Sequence, residues 1–210
     1  MILAQMTLTN MTTYLFPNFY GNIRAQSLSG LAGTVITLIC ASFTVPLSAK
    51  LGRKELGIAA ALFGAAVLFV TNFLKLQNAY VFVVFYTFAY VGIAIFSLIT
   101  WAMITDVIDD AQVHDGRRSD GTIYSVYSFA RKVGQALAGG VSGFALSAIG
   151  YDSLAAAQTA EVQGGIYGIA TLFPGIVYIL VGLVMIFLYP LSKKIVIQNT
   201  EELKRRREET

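Results

Sequence analysis

The sequence predicts an all-α membrane protein: a bundle of six transmembrane helices followed by a basic tail. Three observations predict it. First, 56% of the 210 residues are hydrophobic and only 13% are charged, with a mean hydropathy of +0.65. That is more apolar surface than one soluble core of this length can bury. Second, near-continuous apolar runs occupy residues 1–20, 28–49, 56–74, 79–105, 122–149 and 165–189, and a helix of about 20 apolar residues crosses the ~30 Å hydrocarbon layer. Third, the links after the second and fourth runs and the tail after the sixth hold eleven Lys and Arg residues, whereas the other links hold only Arg24 and Lys75. Cations in short loops stay on the cytoplasmic side. The alternation therefore places both termini in the cytoplasm, requires an even number of spans, and suits a multi-pass protein of the cell membrane. Residues 1–190 form the transmembrane domain and 191–210 the tail.

The first run is the most polar. Gln5, Thr7, Thr9, Asn10, Thr12, Thr13 and Asn18 interrupt it, and such a span is tolerated where one face lines protein or water. It is the expected cavity helix. The opening residues show neither a basic region nor a small-residue cleavage site, so no cleavable signal peptide is expected. The second and third runs are ordinary apolar spans. Cys40 lies within the second as a small buried hydrophobe, and a lone cysteine excludes an internal disulfide. The fourth run leads into the most polar link, TDVIDDAQVHDGRRSDG, with Asp106, Asp109, Asp110, Asp115 and Asp120 beside Arg117 and Arg118. If the helix continues past Thr105, the first three acids lie on neighbouring faces. They can then pair with Arg117, Arg118 or the basic segment 50–54, as an ionic latch on one side of the membrane. His114 matches no standard metal-ligand spacing, and no metal site is expected. In the sixth run, Pro174 and Gly175 predict a kink. Trp101, Tyr80, Tyr151 and Tyr189 fall near run ends and are expected at headgroup level.

The fifth run carries the chemistry. Arg131 and Lys132 lie in its middle, and at about 1.5 Å per residue Lys132 sits roughly 16 Å from Gly121, half-way through the hydrocarbon. Cations so placed face a cavity or a partner. Tyr124, Ser128, Lys132 and Gln135 recur every three or four residues and share one face, offering hydroxyl, ammonium and amide groups to a polyhydroxylated solute. Tyr127 and Arg131 occupy the adjoining face. Gly139, Gly143 and Ser147 form a small-residue stripe suited to close helix packing. No Asp or Glu lies deep in any run. The two cations therefore need a partner from substrate, water, another subunit or further polypeptide. Six spans of this kind read as half of a larger machine.

No enzyme is expected: G-x-S-x-G, H-E-x-x-H, P-loop and paired-cysteine motifs are all missing, and there is one histidine. The basic tail serves as a topology anchor at the lipid bilayer and not as a nucleic-acid site.

Residues 105–151, TDVIDDAQVHDGRRSDGTIYSVYSFARKVGQALAGGVSGFALSAIGY, resemble the signature region of the glycoside-pentoside-hexuronide:cation symporter family, which has the major facilitator fold. The family pattern runs A-D-x-V-D-Y-G-E, then R-x-E-G, Y-S, and a lysine followed by G-Q-A-L and I-G-Y. LGRKELG after the second run and TYLFPNFYGN near the start extend the similarity. The whole chain resembles the carboxyl-terminal six-helix half. The resemblance implies a secondary transporter, or its carboxyl-terminal half, moving a sugar, glycoside or uronate with Na⁺ or H⁺ by alternating access. The alternative is a non-transporting membrane subunit or truncated product that needs a partner chain. An amino-terminal six-helix half, from a longer chain or a second subunit, is the implied partner. No cofactor is implied, and the coupling cation has its main site outside this chain.

Carried over by position, Asp106, Asp109, Arg118 and Asp120 match the family's cytoplasmic gate. Lys132 matches its lysine between sugar and cation sites, and Tyr127 and Ser128 fall where that helix nears substrate. Asp110 stands where tyrosine is usual, and Ala111 and Gln112 replace a Gly-Glu pair. Arg131 adds a second cation where an apolar or amide residue is commoner, which would suit an anionic sugar.

Overall fold

The computed structural model describes residues 1–209. Seven helices and no strands make up the described residues: α1 (Ile2–Asn18), α2 (Ile23–Leu51), α3 (Arg53–Leu74), α4 (Ala79–Asp115), α5 (Asp120–Ala148), α6 (Ala160–Phe187) and α7 (Lys193–Glu208). The first six overlap the six apolar runs, although α2 and α6 start five residues earlier than their runs and α4 ends ten residues later, and α7 lies in the tail. By length and composition α2, α3, α4 and α6 can each cross a membrane. The 17-residue α1 and the more polar α5 fall outside that measure.

The breaks between helices have local causes. The Asn22 side chain accepts a hydrogen bond from the Ala25 amide, Asn78 accepts from the Tyr80 and Val81 amides, and Thr159 accepts from Val162. Each satisfies backbone donors that an N-terminal turn leaves unpaired. Gly52 alone separates α2 from α3, at φ 105°, a conformation that L-residues with a Cβ rarely adopt. α6 remains helical through Pro174, and Gly175 there leaves room for the Phe69 ring, 3.2 Å from where its Cβ would stand.

α3, α4 and α6 form the tight centre, with α2 against α4 and α1 against α6. Where α3 crosses α4, Gly92 lies so close to the chain at Ala60 and Gly64 that a Cβ would strike the Ala60 carbonyl. Small residues at such crossings exchange side-chain bulk for backbone approach. One end of the bundle is tied by tyrosines: Tyr167 donates to the Thr71 carbonyl at 2.7 Å and accepts from the Leu76 amide, and Tyr20 donates to the Leu76 carbonyl at 2.8 Å. These bonds satisfy the chain where α3 ends and α4 begins. The other end gathers the charged links after α2, α4 and α6.

Candidate functional site

α5 is the least embedded of the long helices. It packs chiefly on α1 through Ala138, Ser142 and Leu146, with slight contact to α4. The small-residue stripe expected to pack closely does not: Gly139, Gly140 and Gly143 have no atom within reach of a Cβ. Gly134, against the Ile2 side chain, is the close approach instead. The reason is the roll of the helix, which turns Ala138 and Ser142 toward α1 and leaves the glycines aside.

Where α1, α4 and α5 diverge they border a half-open cavity of about 540 Å³. α1 contributes Gln5, Thr9 and Asn10, as its polar pattern indicated. From α4 come Ser97, Thr100 and Trp101, and from α5 Tyr127, Arg131 and Gln135. None of the lining residues is acidic. Two weak cross-links hold the wall: Gln5 donates to the Tyr90 hydroxyl and Asn10 to the Ser142 hydroxyl, each at 3.4 Å. A smaller cavity of about 270 Å³ continues along the α1/α5 seam past Asn10 to Thr13 and Gly139.

Trp101 belongs to this site. Its ring lies 5.6 Å from that of Tyr127 and 5.8 Å from that of Tyr124, centroid to centroid. The sequence placed it near the end of its run at Thr105; α4 runs ten residues further, to Asp115, and Trp101 lines the cavity. Sequence reasoning missed Trp101 because it depended on that end.

The structure divides the predicted residues of α5. Arg131, Gln135 and Tyr127 line the cavity, whereas Tyr124, Ser128 and Lys132 do not. Lys132 and Ser128 are exposed on the adjacent face. Neither Arg131 nor Lys132 has an ion pair among the described residues.

Apart from Asp152 and Glu161, between α5 and the first turn of α6, the acidic residues cluster at the charged end, and none lines the cavity. Buried Asp106 is paired with Arg53, which also reaches the Ala102 carbonyl. Arg118 donates to Asp109 at 3.0 Å, to Asp120 at 2.8 Å and to Gln112 at 3.1 Å. The bonds to Asp120 and Asp109 raise the arginine's pKa further above its ordinary value. Both predicted classes of pairing, with the loop arginine and with segment 50–54, are thus present. Asp110 accepts from Asn199 of α7 at 2.8 Å, and His114 packs back on the Asp110 carbonyl at 2.9 Å. The tail is therefore a docked helix, with Asn199 and Leu203 buried and Lys193 donating to the Lys50 carbonyl at 2.9 Å.

Long apolar helices around a polar, aromatic and cationic cavity define a multi-pass membrane protein with room for a small solute. Its family follows from comparison with known proteins. The chain belongs to the MFS/sugar transport protein family, whose profile matches residues 1–193. That is a family of transporters and not of enzymes. Among its relatives, an uncharacterised symporter of Bacillus subtilis (strain 168) is 40% identical over 58% of this chain and 26% of its own length. A putative sulfoquinovose importer of Escherichia coli (strain K12) is 32% identical over 78% of this chain and 35% of its own. A glucuronide carrier protein homolog of the same strain is 30% identical over 80% of this chain and 35% of its own. The chain thus spans roughly a quarter to a third of the length of the curated relatives it matches.

Proposed function

We propose that this chain is the carboxyl-terminal half of a secondary active transporter that moves a sugar, glycoside or uronate with Na⁺ or H⁺ by alternating access. The observation that carries the reading is the cavity: an aromatic pair, Trp101 and Tyr127, facing amide and hydroxyl groups from three helices. Sugar rings present apolar faces that stack on aromatic rings and hydroxyls that pair with amides, so this mixture suits them. Several relatives carry names of sugar, glycoside or glucuronide carriers, which supports the substrate class.

The greater length of those relatives supports a partner bundle of six helices, from a longer chain or a second subunit. That bundle would cover the exposed face of α5 that carries Lys132, Ser128 and Tyr124, and it would supply the acids that hold the coupling cation. All six long helices cross the cell membrane in this reading, with the charged end and both termini in the cytoplasm. Asp106, Asp109, Arg118 and Asp120 then form its cytoplasmic gate, and Lys132 couples substrate to cation.

Vesicle uptake tests the proposal. Labelled glycoside should accumulate under an imposed Na⁺ or H⁺ gradient when the chain is assembled with an amino-terminal half. Uptake that ignores both gradients would refute coupling. The missing acids also favour a second reading, a non-transporting subunit, and saturable counterflow by the isolated chain would exclude it.

A further inference from the structure

Arg131 is a guanidinium on the wall of a solute-sized cavity, without a hydrogen-bond or ion-pair partner among the described residues. The surrounding polar groups, Gln5, Thr9, Asn10, Ser97 and Gln135, are all neutral. Arg131 is exposed at the rim of this half-open recess, and with no acidic group in the lining its charge is left to attract an anion. Its planar fork matches the two oxygens of a carboxylate or sulfonate, a geometry that an ammonium lacks. On the same helix face one turn away stands Tyr127, whose ring packs edge-on against that of Trp101 from α4, centroids 5.6 Å apart. A ring platform and an oxyanion receptor are thus within one sugar's reach.

Resting on the sugar reading of this cavity, we infer that Arg131 is a charge-selecting residue: the ligand is a sugar bearing an acid group, its ring against Trp101 and Tyr127 and its carboxylate or sulfonate on the Arg131 guanidinium. Lys132, outside the cavity wall, takes no part in this selection. A neutral sugar of the same shape forfeits a charge-assisted hydrogen bond, which corresponds to roughly tenfold or more in affinity.

Trp101 is the sole tryptophan of the chain, so its fluorescence reports this site alone. The test uses the chain assembled in lipid vesicles with a tryptophan-free amino-terminal half, titrated with 4-nitrophenyl β-glucuronide, the matching β-glucoside and the 6-sulfonate analogue. These probes share ring and aglycone and differ only at C6. At least one acid should quench Trp101 with a Kd about tenfold or more below that of the glucoside. The two acid arms distinguish a carboxylate from a sulfonate ligand. In Arg131→Gln the preference should fall to within about twofold while glucoside quenching persists, and Arg131→Lys should retain part of it. Persistence of the glucoside signal shows that the variant is folded. Equal quenching by acid and neutral probes in the native chain would overturn the inference and leave the sugar reading standing. So would a preference that survives Arg131→Gln but is lost in Lys132→Gln. Failure of all three probes to quench would overturn the sugar reading, and this inference with it.

Discussion

Replacing Arg53 by glutamine should destabilise the charged end more than replacing its partner. Asp106 is 4% exposed and Arg53 is 35% exposed, so the two ends of the pair differ in what they can do when left alone. Arg53→Gln strands a buried carboxylate whose second oxygen, Oδ2, already has no hydrogen-bond partner. Breaking a fully buried pair costs about 3–5 kcal/mol. Because Arg53 keeps a third of its surface in solvent, the expected loss is smaller, about 2–3 kcal/mol. Asp106→Asn should cost only about 1 kcal/mol, since the arginine can turn outward to water and an amide still accepts its hydrogen bond. The double variant should lie near Asp106→Asn, so that removing the charge from the aspartate rescues Arg53→Gln. Reversible unfolding of the four proteins in mixed micelles closes the double-mutant cycle. Equal costs for the two single variants, or additive costs in the double, would refute the reasoning that burial of the carboxylate dominates.

Other perturbations separate crowded positions from open ones. Gly92→Ala should destabilise by about 3 kcal/mol or more, because the new methyl meets the backbone of Ala60 and Gly64, which cannot move aside as a side chain would. Gly140→Ala, with nothing nearby, should be neutral or stabilise by roughly 0.5–1 kcal/mol; thermal melts of both variants check the contrast. Leu203→Ala should release α7 from α4 by removing a buried side chain from a peripheral contact, at a local cost of about 2 kcal/mol. That loss reads as roughly thirtyfold faster hydrogen exchange confined to residues 193–208. Glu202 is held below its ordinary pKa by Arg206 and Arg205. Its support of α7 is therefore fully present above the unfolded carboxylate pKa and disappears as pH falls through the lower folded value. A spin label on α7 should show mobility rising over that acid range, and Glu202→Gln should flatten the profile.

Much of the fold was legible because membrane helices write themselves in apolar runs. The runs at 56–74 and 79–105 begin within three residues of α3 and α4, since Gly52 and Asn78 punctuate them. The overshoot of α4 to Asp115 was less visible. Six of its last ten residues are polar, and the segment stays helical because Ile108 is buried and Asp106 and Asp110 find partners on other elements, Arg53 and Asn199. Such tertiary support leaves no local hydropathy signal. The docking of α7 was hidden for the same reason: the tail has only a few apolar residues, and Leu203 and Asn199 matter because α4 is there to receive them.

The site itself was half legible, and the missing half is a matter of angle. Periodicity places Tyr124, Ser128, Lys132 and Gln135 on one side of α5 and Tyr127 with Arg131 beside them, about 60° away. Which side looks into the cavity depends on how the helix is rolled, and the roll is decided by contact with α1. Ala138, Ser142 and Leu146 are the buried positions. They fix the contact line, and Arg131 and Gln135 lie almost along it, one turn toward the charged end. Lys132 is a further 100° round from Arg131 and leaves the wall. Two adjacent cations with nearly identical sequence surroundings thus acquire different environments. That difference arises from three small or apolar residues downstream and from the polar face of a helix more than a hundred residues earlier in the chain.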